Sequence, residues 1–251
     1  MTAQTTPPLA GKAALVTGGS RGIGAAIVRR LAADGADVFF TYASAEAEAQ
    51  KVVAAVEADG GRAVALRADS ADPQAVRGAV DATVARFGRL DILVNNAGLI
   101  GMRGAAGYDM GDFDRLYAVN VRAPFAATEA AATHLGDGGR VIMIGSVVAD
   151  RIGVGGGAIY AATKAAIAGM TRGLARDFGP KGVTVNNVQP GPTETDMNPA
   201  DSPHNAWLKA ASPLGRLGRP DEIASLVAFL AGPQSSYING ASLTADGGYN
   251  I

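Results

Sequence analysis

Two side chains four positions apart, Tyr160 and Lys164, offer the pair of groups that acid–base chemistry at a carbonyl oxygen requires. Residues at this spacing share one face of a helix. Because a nearby ammonium favours the phenolate form, we expect Lys164 to lower the pKa of Tyr160 from its ordinary value of about 10. Such a phenol could protonate an alkoxide or deprotonate an alcohol. Without further context, the same pair is an ordinary helix-surface pair.

A glycine-rich turn containing Gly18, Gly22 and Gly24 follows the first apolar run of the chain. Glycines permit close approach of the backbone to a pyrophosphate, which a helix N-terminus then binds through its free N–H groups and its dipole. The spacing differs from the usual G-x-G-x-x-G pattern, and a glycine cluster alone can be a simple tight turn. Its place between a predicted strand and a predicted helix favours dinucleotide binding.

The end of the second predicted strand carries Tyr42, Ala43 and Ser44 rather than an acidic residue. NAD-specific sites place a carboxylate here, about 20 residues after the turn, to bind the ribose 2′-hydroxyl. Asp37 lies at the opposite end of the strand. Arg21 is either a partner for a 2′-phosphate or a solvated surface arginine. The pattern favours NADP(H), with NAD(H) as the alternative.

Apolar, β-branched runs alternate with stretches of helical period along the chain. Strands are predicted at 13–16, 38–42, 63–66, 92–94, 141–144 and 183–185, with a last one around Leu243. Helices are predicted at 25–34, 46–59, 75–87, 113–135 and 165–178. Continuously apolar strands are typical of parallel sheets buried on both faces, and the alternation indicates βαβ crossovers. The predicted fold class is α/β, a doubly wound parallel sheet of the Rossmann type with about seven strands and helices on both faces.

No linker, charge block or internal repeat divides the chain. We therefore expect a flexible N-terminal lead at 1–10 and one Rossmann-type catalytic domain at 11–251. The stretch 190–220 holds six prolines, and long irregular segments are often functional, so a lid is predicted near 193–213. Trp207, with Met197 and Leu208 nearby, either lines a pocket there or anchors a short helix of the lid.

Composition excludes several classes of function. The 251 residues are 48% apolar and 18% charged, with no cysteine and a net charge of −1. This excludes disulfides and thiolate sites and gives no reason to expect nucleic-acid binding. No apolar run approaches the roughly 18 to 20 residues of a membrane span. His134 and His204 lack ligand spacing, so no metal is predicted. We expect a cytoplasmic protein without a membrane partner.

Five motifs occur in an order that is specific as a set, although each is weak alone. They are Thr17-Gly18-x-x-x-Gly22-x-Gly24, Asn95-Asn96-Ala97-Gly98, Ser146, Tyr160-x-x-x-Lys164 and Pro190-Gly191. Together they resemble the short-chain dehydrogenase/reductase family of the compact single-domain type, over about residues 9–248. The most similar branch contains 3-oxoacyl-carrier-protein reductases and related ketoreductases.

The resemblance implies two sets of site residues. The catalytic set is Asn120, Ser146, Tyr160 and Lys164, in which Ser146 binds the substrate oxygen and Asn120 holds a water of a proton relay. The cofactor-binding set contains Gly18, Ser20, Arg21, Gly22, Ile23, Gly24, Tyr42, Ala43, Ser44, Asp69, Ser70, Asn96, Ala97, Gly98, Tyr160, Lys164, Pro190, Gly191, Thr193 and Thr195.

These observations predict an NADPH-dependent oxidoreductase that reversibly reduces a ketone or 3-oxoacyl-type carbonyl to a secondary alcohol, with Tyr160 as general acid/base. The alternatives are an NAD-dependent alcohol or sugar dehydrogenase and a non-catalytic nucleotide-sensing regulator. The segment 134–140 is poor in basic residues, unlike that of carrier-protein reductases, which favours a free small ketone. The segment also resembles one in naphthol reductases, and glycines at 153–157 suggest room for a ring-shaped ketone. Because family members are commonly tetramers built on the helix 113–135 and the Tyr160 helix, a homotetramer is predicted.

Overall fold

The sheet organises the whole molecule. The computed structural model describes residues 6–153, 155–196, 198, 199, 202 and 205–251. Its strands are β1 (Ala13–Val16), β2 (Asp37–Tyr42), β3 (Arg62–Arg67), β4 (Ile92–Asn95), β5 (Arg140–Ile144), β6 (Thr184–Pro190) and β7 (Ser242–Ala245). All pair in parallel, in the order β3-β2-β1-β4-β5-β6-β7. The predicted doubly wound α/β class is confirmed.

Helices cover both faces of the sheet. The α-helices of the described residues are α1 (Gly22–Ala33), α2 (Glu46–Ala58), α3 (Pro73–Phe87), α4 (Met110–Tyr117), α5 (Ala123–Ala131), α6 (Ala158–Phe178), α7 (Asn205–Ala211) and α8 (Pro220–Ala231). None of them has the length and apolar character that a membrane-spanning segment requires.

Two buried layers hold the helices against the sheet. Neighbouring strand residues face opposite sides, and in β2 Phe40 packs into the layer that contains α1 and α8, while Phe39 packs into the layer that contains α3, α5 and α6. Both side chains are almost completely buried. The strand order reverses at β1, which lies between β2 and β4. In a doubly wound sheet, this reversal opens a crevice at the carboxyl ends of the strands.

Strand β6 is longer than its apolar pattern predicts, since it runs from Thr184 to Pro190 rather than over 183–185. Its polar residues are buried, and the amide nitrogens of two of them donate to residues of β7 and of the segment that leads into it. Asn186 donates to the carbonyl of Ile238 at 2.7 Å, and Asn187 donates to the Ser242 hydroxyl at 3.0 Å. These hydrogen bonds offset the cost of burying amides, and hydropathy alone does not show them.

The helix predicted at 113–135 is wrong in both bounds and in regularity. The Asp109 carboxylate accepts a hydrogen bond from the Asp112 N–H at 2.7 Å, which caps α4 and starts the helix earlier. A π-helical turn, Ala118–Arg122, then separates α4 from α5, and α5 ends at Ala131. Such turns insert one extra residue and are frequent at functional sites.

Within the described part of the predicted flexible lead at 1–10, Leu9 packs against the domain. Leu9 is 2% exposed, and its N–H donates to the carbonyl of Asp34 at 2.9 Å. Burial of this apolar side chain beside α1 fixes the segment. Residues 1–5 lie outside the described residues, as do Met197 and His204 of the sequence predictions.

Candidate active site

A cleft of about 560 Å³ opens at the carboxyl edge of the sheet. Every residue of the predicted cofactor-binding set lines it, from Gly18 in the turn after β1 to Thr195 beyond β6. Of the predicted catalytic residues, Ser146, Tyr160 and Lys164 also line it, whereas Asn120 lies behind the wall. Segments far apart in sequence therefore converge at the point where the strand order reverses.

The turn after β1 is shaped for close contact with an anion. Gly22, the first residue of α1, has φ +54°, a conformation that favours glycine. A Cβ on Gly24 would lie 2.1 Å from the carbonyl oxygen of Gly18. No side chain caps the N-terminus of α1, so the N–H groups of its first turn face the cleft without a capping partner. These groups and the helix dipole suit a pyrophosphate.

The amide of Asn96 holds this turn against β4. Its Nδ2 donates to the carbonyls of Thr17 and Gly18, both at 2.9 Å. The Thr17 hydroxyl in turn accepts from the backbone N–H groups of Asn96 and Ala97 at 3.0 Å. The first two motifs of the sequence thus form one hydrogen-bonded unit, which sets the distance between the turn and the middle of the cleft.

The outer end of the cleft, beyond β2, presents no carboxylate from that strand. Asp37 forms an ion pair with Arg62 at the opposite end of β2. Arg21 is exposed at the cleft, and among the described residues no acidic side chain pairs with it. Arg67 was missed by sequence reasoning; its Nε donates to the carbonyl of Ala43 at 3.2 Å and adds a second cation here. This charge pattern fits a phosphorylated ribose.

Tyr160 lies in the first turn of α6, because this helix begins at Ala158 rather than at the predicted 165. Burial raises the pKa of its hydroxyl above the ordinary value, and a hydrogen bond with the Ser146 hydroxyl lowers it by less. The prediction that Lys164 lowers the pKa of Tyr160 below its ordinary value is therefore wrong. The lysine Nζ lies 5.8 Å from the centroid of the tyrosine ring, and the influences on this pKa are burial and, opposing it, the hydrogen bond with Ser146.

Lys164 is 6% exposed and lines the floor of the cleft. Its Nζ donates to the carbonyl of Ile144, the last residue of β5, at 2.9 Å. Burial lowers the pKa of this ammonium to about 8. In most molecules the amine is still protonated at neutral pH, so a buried cation lies beside the Tyr160 ring.

Asn120 acts on the loop after β4 rather than on the cleft itself. It lies in the π-helical turn, is 2% exposed, and its Oδ1 accepts from the Leu99 N–H at 2.8 Å. Its Nδ2 donates to the Leu99 carbonyl at 2.9 Å and to the Thr163 hydroxyl at 3.1 Å. The side chain thereby joins three segments around Lys164.

The inner end of the cleft, beside Tyr160, is walled mainly by apolar side chains. They are Ile100, Met102, Val148, Trp207, Leu208 and Tyr249. Trp207 therefore lines the pocket, the first of the two roles considered for it. Tyr249 was missed, because nothing in the sequence near the C-terminus indicates that this segment returns to the cleft. An apolar wall around two hydroxyls favours a neutral organic substrate.

The doubly wound sheet, the anion-binding turn and the tyrosine–lysine pair beside it define a Rossmann-fold oxidoreductase. A statistical model of the family described as enoyl-(acyl carrier protein) reductase matches residues 18–250. The structure is similar to the crystal structure of a short-chain dehydrogenase from Burkholderia cenocepacia in complex with NADP. The TM-score is 0.96, with 55% identity over 97% of this chain and 100% of the other. The chain belongs to the short-chain dehydrogenase/reductase family.

Two relatives illustrate how widely functions vary at this level of similarity. A cyclic-di-GMP-binding biofilm dispersal mediator protein of Escherichia coli is 48% identical over 95% of this chain and 97% of the relative. A hydroxynaphthalene reductase of Aspergillus fumigatus is 41% identical over 93% of this chain and 90% of the relative. The family is therefore secure, whereas the substrate has to be argued from the site.

Proposed function

We propose that the protein is an NADPH-dependent reductase that converts a ketone to a secondary alcohol, reversibly. One observation carries the proposal: the hydroxyls of Ser146 and Tyr160 and the amine of Lys164 converge next to the anion-binding turn. Two hydroxyls on one carbonyl oxygen, with a cation behind them, are the arrangement that stabilises a developing alkoxide.

The cofactor side supports NADP(H) rather than NAD(H). The end of β2 offers no carboxylate, Arg21 and Arg67 supply positive charge, and the relative from Burkholderia cenocepacia was crystallised with NADP. In this assignment the cofactor-binding set predicted from the sequence holds the dinucleotide. When bound, the nicotinamide supplies the hydride that reduces the carbonyl carbon.

The protein's own residues manage the proton and the charge. Ser146 holds the carbonyl oxygen, and Tyr160 donates its proton to that oxygen as negative charge develops. Because burial raises the pKa of Tyr160, the residue keeps its proton at neutral pH, which is the form that reduction requires. The Lys164 ammonium then stabilises the phenolate. Asn120 acts as a positioning residue, because its amide is hydrogen-bonded to Leu99 and Thr163; the relay water expected from the resemblance stays a prediction.

A free, apolar ketone with a ring system fits the inner wall better than a carrier-protein thioester. The wall is built from aliphatic and aromatic side chains, among them Ile100, Met102 and Val148. The Aspergillus fumigatus relative, a hydroxynaphthalene reductase, is consistent with a ring-shaped substrate. We include 3-oxoacyl thioesters in the test as the competing substrate class.

NADPH oxidation with a panel of ketones and 3-oxoacyl thioesters tests the proposal. We expect turnover with ring ketones, and a loss of about 10² to 10⁴-fold in kcat/KM in Tyr160→Phe, which keeps the ring but removes the proton donor. Unaltered turnover in this variant would refute the assignment. NADH in place of NADPH distinguishes the NAD-dependent alternative, because the same active site would then work with the unphosphorylated cofactor.

The Escherichia coli relative motivates a second candidate, a nucleotide-sensing role at the same cleft. Arg21 and the uncapped N-terminus of α1 would bind a phosphodiester as readily as a pyrophosphate. Titration with cyclic-di-GMP, with and without NADPH, separates the two. Competition between them, without ketone turnover, would favour sensing.

We also propose a cytoplasmic homotetramer built on the helices around α5 and α6. Phe125 on α5 is 50% exposed, although the rest of this helix is rich in buried alanine, so an apolar face remains for a partner. Light scattering after size exclusion should give four times the 25.2 kDa chain mass. Phe125→Asp should shift the protein to smaller species; an unchanged mass would place the interface elsewhere.

A further inference from the structure

Two aromatic rings separate the cleft from a second, smaller cavity. Trp207 and Tyr249 line both spaces, and their rings meet edge to face, with centroids 6.3 Å apart and planes at 89°. The second cavity has a volume of about 260 Å³ and is lined by Arg151, Gly153, Trp207, Ala211, Tyr249 and Ile251. The two aromatic side chains therefore form the boundary between the two spaces.

One of the two rings belongs to the end of the chain, which returns to the site after β7. The Asp246 carboxylate accepts hydrogen bonds from the N–H groups of Gly248 and Asn250, both at 2.9 Å. The Ser212 hydroxyl donates to the Gly247 carbonyl at 3.1 Å. These bonds fold the segment into a compact turn against the residues that follow α7.

Arg151 fixes the last residue of that segment. Its Nη1 donates to the carbonyl oxygen of Ile251 at 3.1 Å. Arg151 follows Ser146 by five residues in the loop after β5, so this contact joins the chain end to the loop that carries the substrate-binding hydroxyl. Burial raises the pKa of the Tyr249 hydroxyl and the Arg151 charge opposes that rise, which places the two groups within electrostatic reach.

Both rings also lie beside the backbone of Gly153. A Cβ on Gly153 would lie 3.6 Å from the Tyr249 hydroxyl and 3.8 Å from the Trp207 ring. Both rings thus pack directly on a glycine of the same loop. Tyr249 is partly exposed toward the cleft and Trp207 is 40% exposed, so each ring has a surface that a ligand can cover.

We propose that Tyr249 is a specificity-determining residue that contacts the distal ring of the ketone, and that Arg151 is a positioning residue that holds it there through the chain end. This inference rests on the proposed ketone reduction and names its substrate class: bicyclic or larger ring ketones reach past Tyr160 to Tyr249 and Trp207. Single-ring ketones bind without touching them.

The single tryptophan of the chain gives a readout that does not depend on turnover. Titration of 2-tetralone, a bicyclic ketone, into the protein with NADP⁺ should quench Trp207 emission. Loss of the Tyr249 ring should weaken this binding about threefold to tenfold, the range of one aromatic contact. Tyr249→Ala and a deletion of residues 249–251 should both shift the emission of Trp207 to the red.

Arg151→Ala should reproduce the weaker 2-tetralone binding, and Arg151→Lys should restore at least half of the affinity, because a lysine can still donate to the Ile251 carbonyl. Tyr237→Ala is the control, since Tyr237 is fully exposed on the surface. In steady state, KM for 2-tetralone should rise in Tyr249→Ala by the same factor, a larger change than the change in KM for cyclohexanone.

The outcomes separate the inference from the function on which it rests. If the parent protein reduces both ketones and Tyr249→Ala changes neither binding nor KM, the specificity assignment is wrong and the reductase stands. Equal changes for both ketones would indicate a general structural role and would also overturn it. If 2-tetralone quenches Trp207 in a Tyr249-dependent way without any turnover, the contact stands and the reductase assignment fails.

Discussion

The two ends of the cleft are built by different means. After the proposed function, we call the part around β1, β2 and β4 the cofactor end and the part beside Tyr160 the substrate end. The cofactor end is made largely of backbone at the carboxyl edges of β1, β2 and β4, held by hydrogen bonds such as that from Asn96 to Gly18. The substrate end is made of side chains from distant segments, including Met102 and Tyr249. Rigid backbone tolerates little change, whereas side chains on loops can be exchanged. One scaffold can therefore keep its cofactor while its substrate changes.

The largest expected effect lies at the cofactor end. Gly24→Ala would place a Cβ 2.1 Å from the Gly18 carbonyl oxygen, so the turn must move. We expect NADPH affinity to fall at least about tenfold and stability to fall by about 1 to 3 kcal/mol, the cost of an overpacked contact. Calorimetric titration and thermal melting measure these changes.

Gly78→Ala in α3 is the matched control for this change, because an added Cβ there meets no atom within 4 Å. In a helix interior, alanine is more favourable than glycine by about 1 kcal/mol, so the control should melt at a higher temperature. Full NADPH affinity in Gly24→Ala would show that the cofactor end is as tolerant as the substrate end.

Lys164→Met should remove activity and stabilise the fold. Burial lowers the pKa of Lys164 to about 8, so below pH 8 the native state holds a charge that costs stability. Removing a buried charge of this kind can stabilise by about 1 to 4 kcal/mol, although the Ile144 carbonyl loses its donor. Denaturant unfolding at pH 7 measures the difference, and a less stable variant would contradict the prediction.

The same group predicts a pH dependence of opposite sign for stability and for catalysis. Between pH 8 and the unfolded pKa of about 10.4, the unfolded state binds more protons at Lys164 than the native state, so its contribution to stability rises with pH. Reduction should fall over the same range, because the ammonium that stabilises the Tyr160 phenolate is lost. Lys164→Met should flatten the stability slope.

The smallest effect distinguishes the two nicotinamide cofactors at the outer end. Arg21→Ala removes one charge-assisted contact of an exposed arginine, worth about 1 kcal/mol, so NADPH affinity should fall about fivefold. NADH affinity should stay within twofold. Equal losses for both cofactors would mean that Arg21 supports the turn rather than the 2′-phosphate.

The difference between the two ends also explains which parts of the fold and of the site could be predicted from the sequence. Strands β1 to β5 follow from apolar runs, and the cofactor end follows from Gly18, Asn96 and the absence of an acid at Tyr42–Ser44, because these are local patterns. Only the first part of strand β6 was predicted, because its buried asparagines form hydrogen bonds with residues more than 50 positions away in sequence. The roles of the site residues remain predictions until the variants are measured.

The substrate end could not be predicted from the sequence, because it depends on contacts between residues about one hundred positions apart. Arg151 meets Ile251 across such a distance, and neither residue stands in a recognisable pattern. The raised pKa of Tyr160 was missed for a related reason: spacing on a helix shows that Lys164 is near, but only the fold shows how dry the surroundings are.

A chain with one indole and no thiol is already equipped for spectroscopy. Trp207 stands on the wall of the cleft, so its emission can pass energy to a reduced nicotinamide held there, whereas the oxidised ring absorbs too far to the blue to receive it. Oxidation of the bound NADPH would thus be visible as an increase in Trp207 emission during a single mixing experiment. A cysteine introduced at the fully exposed position of Tyr237 would be the single thiol of the chain and could be labelled with a dye. Energy transfer from Trp207 to that dye would then report the distance between the two positions.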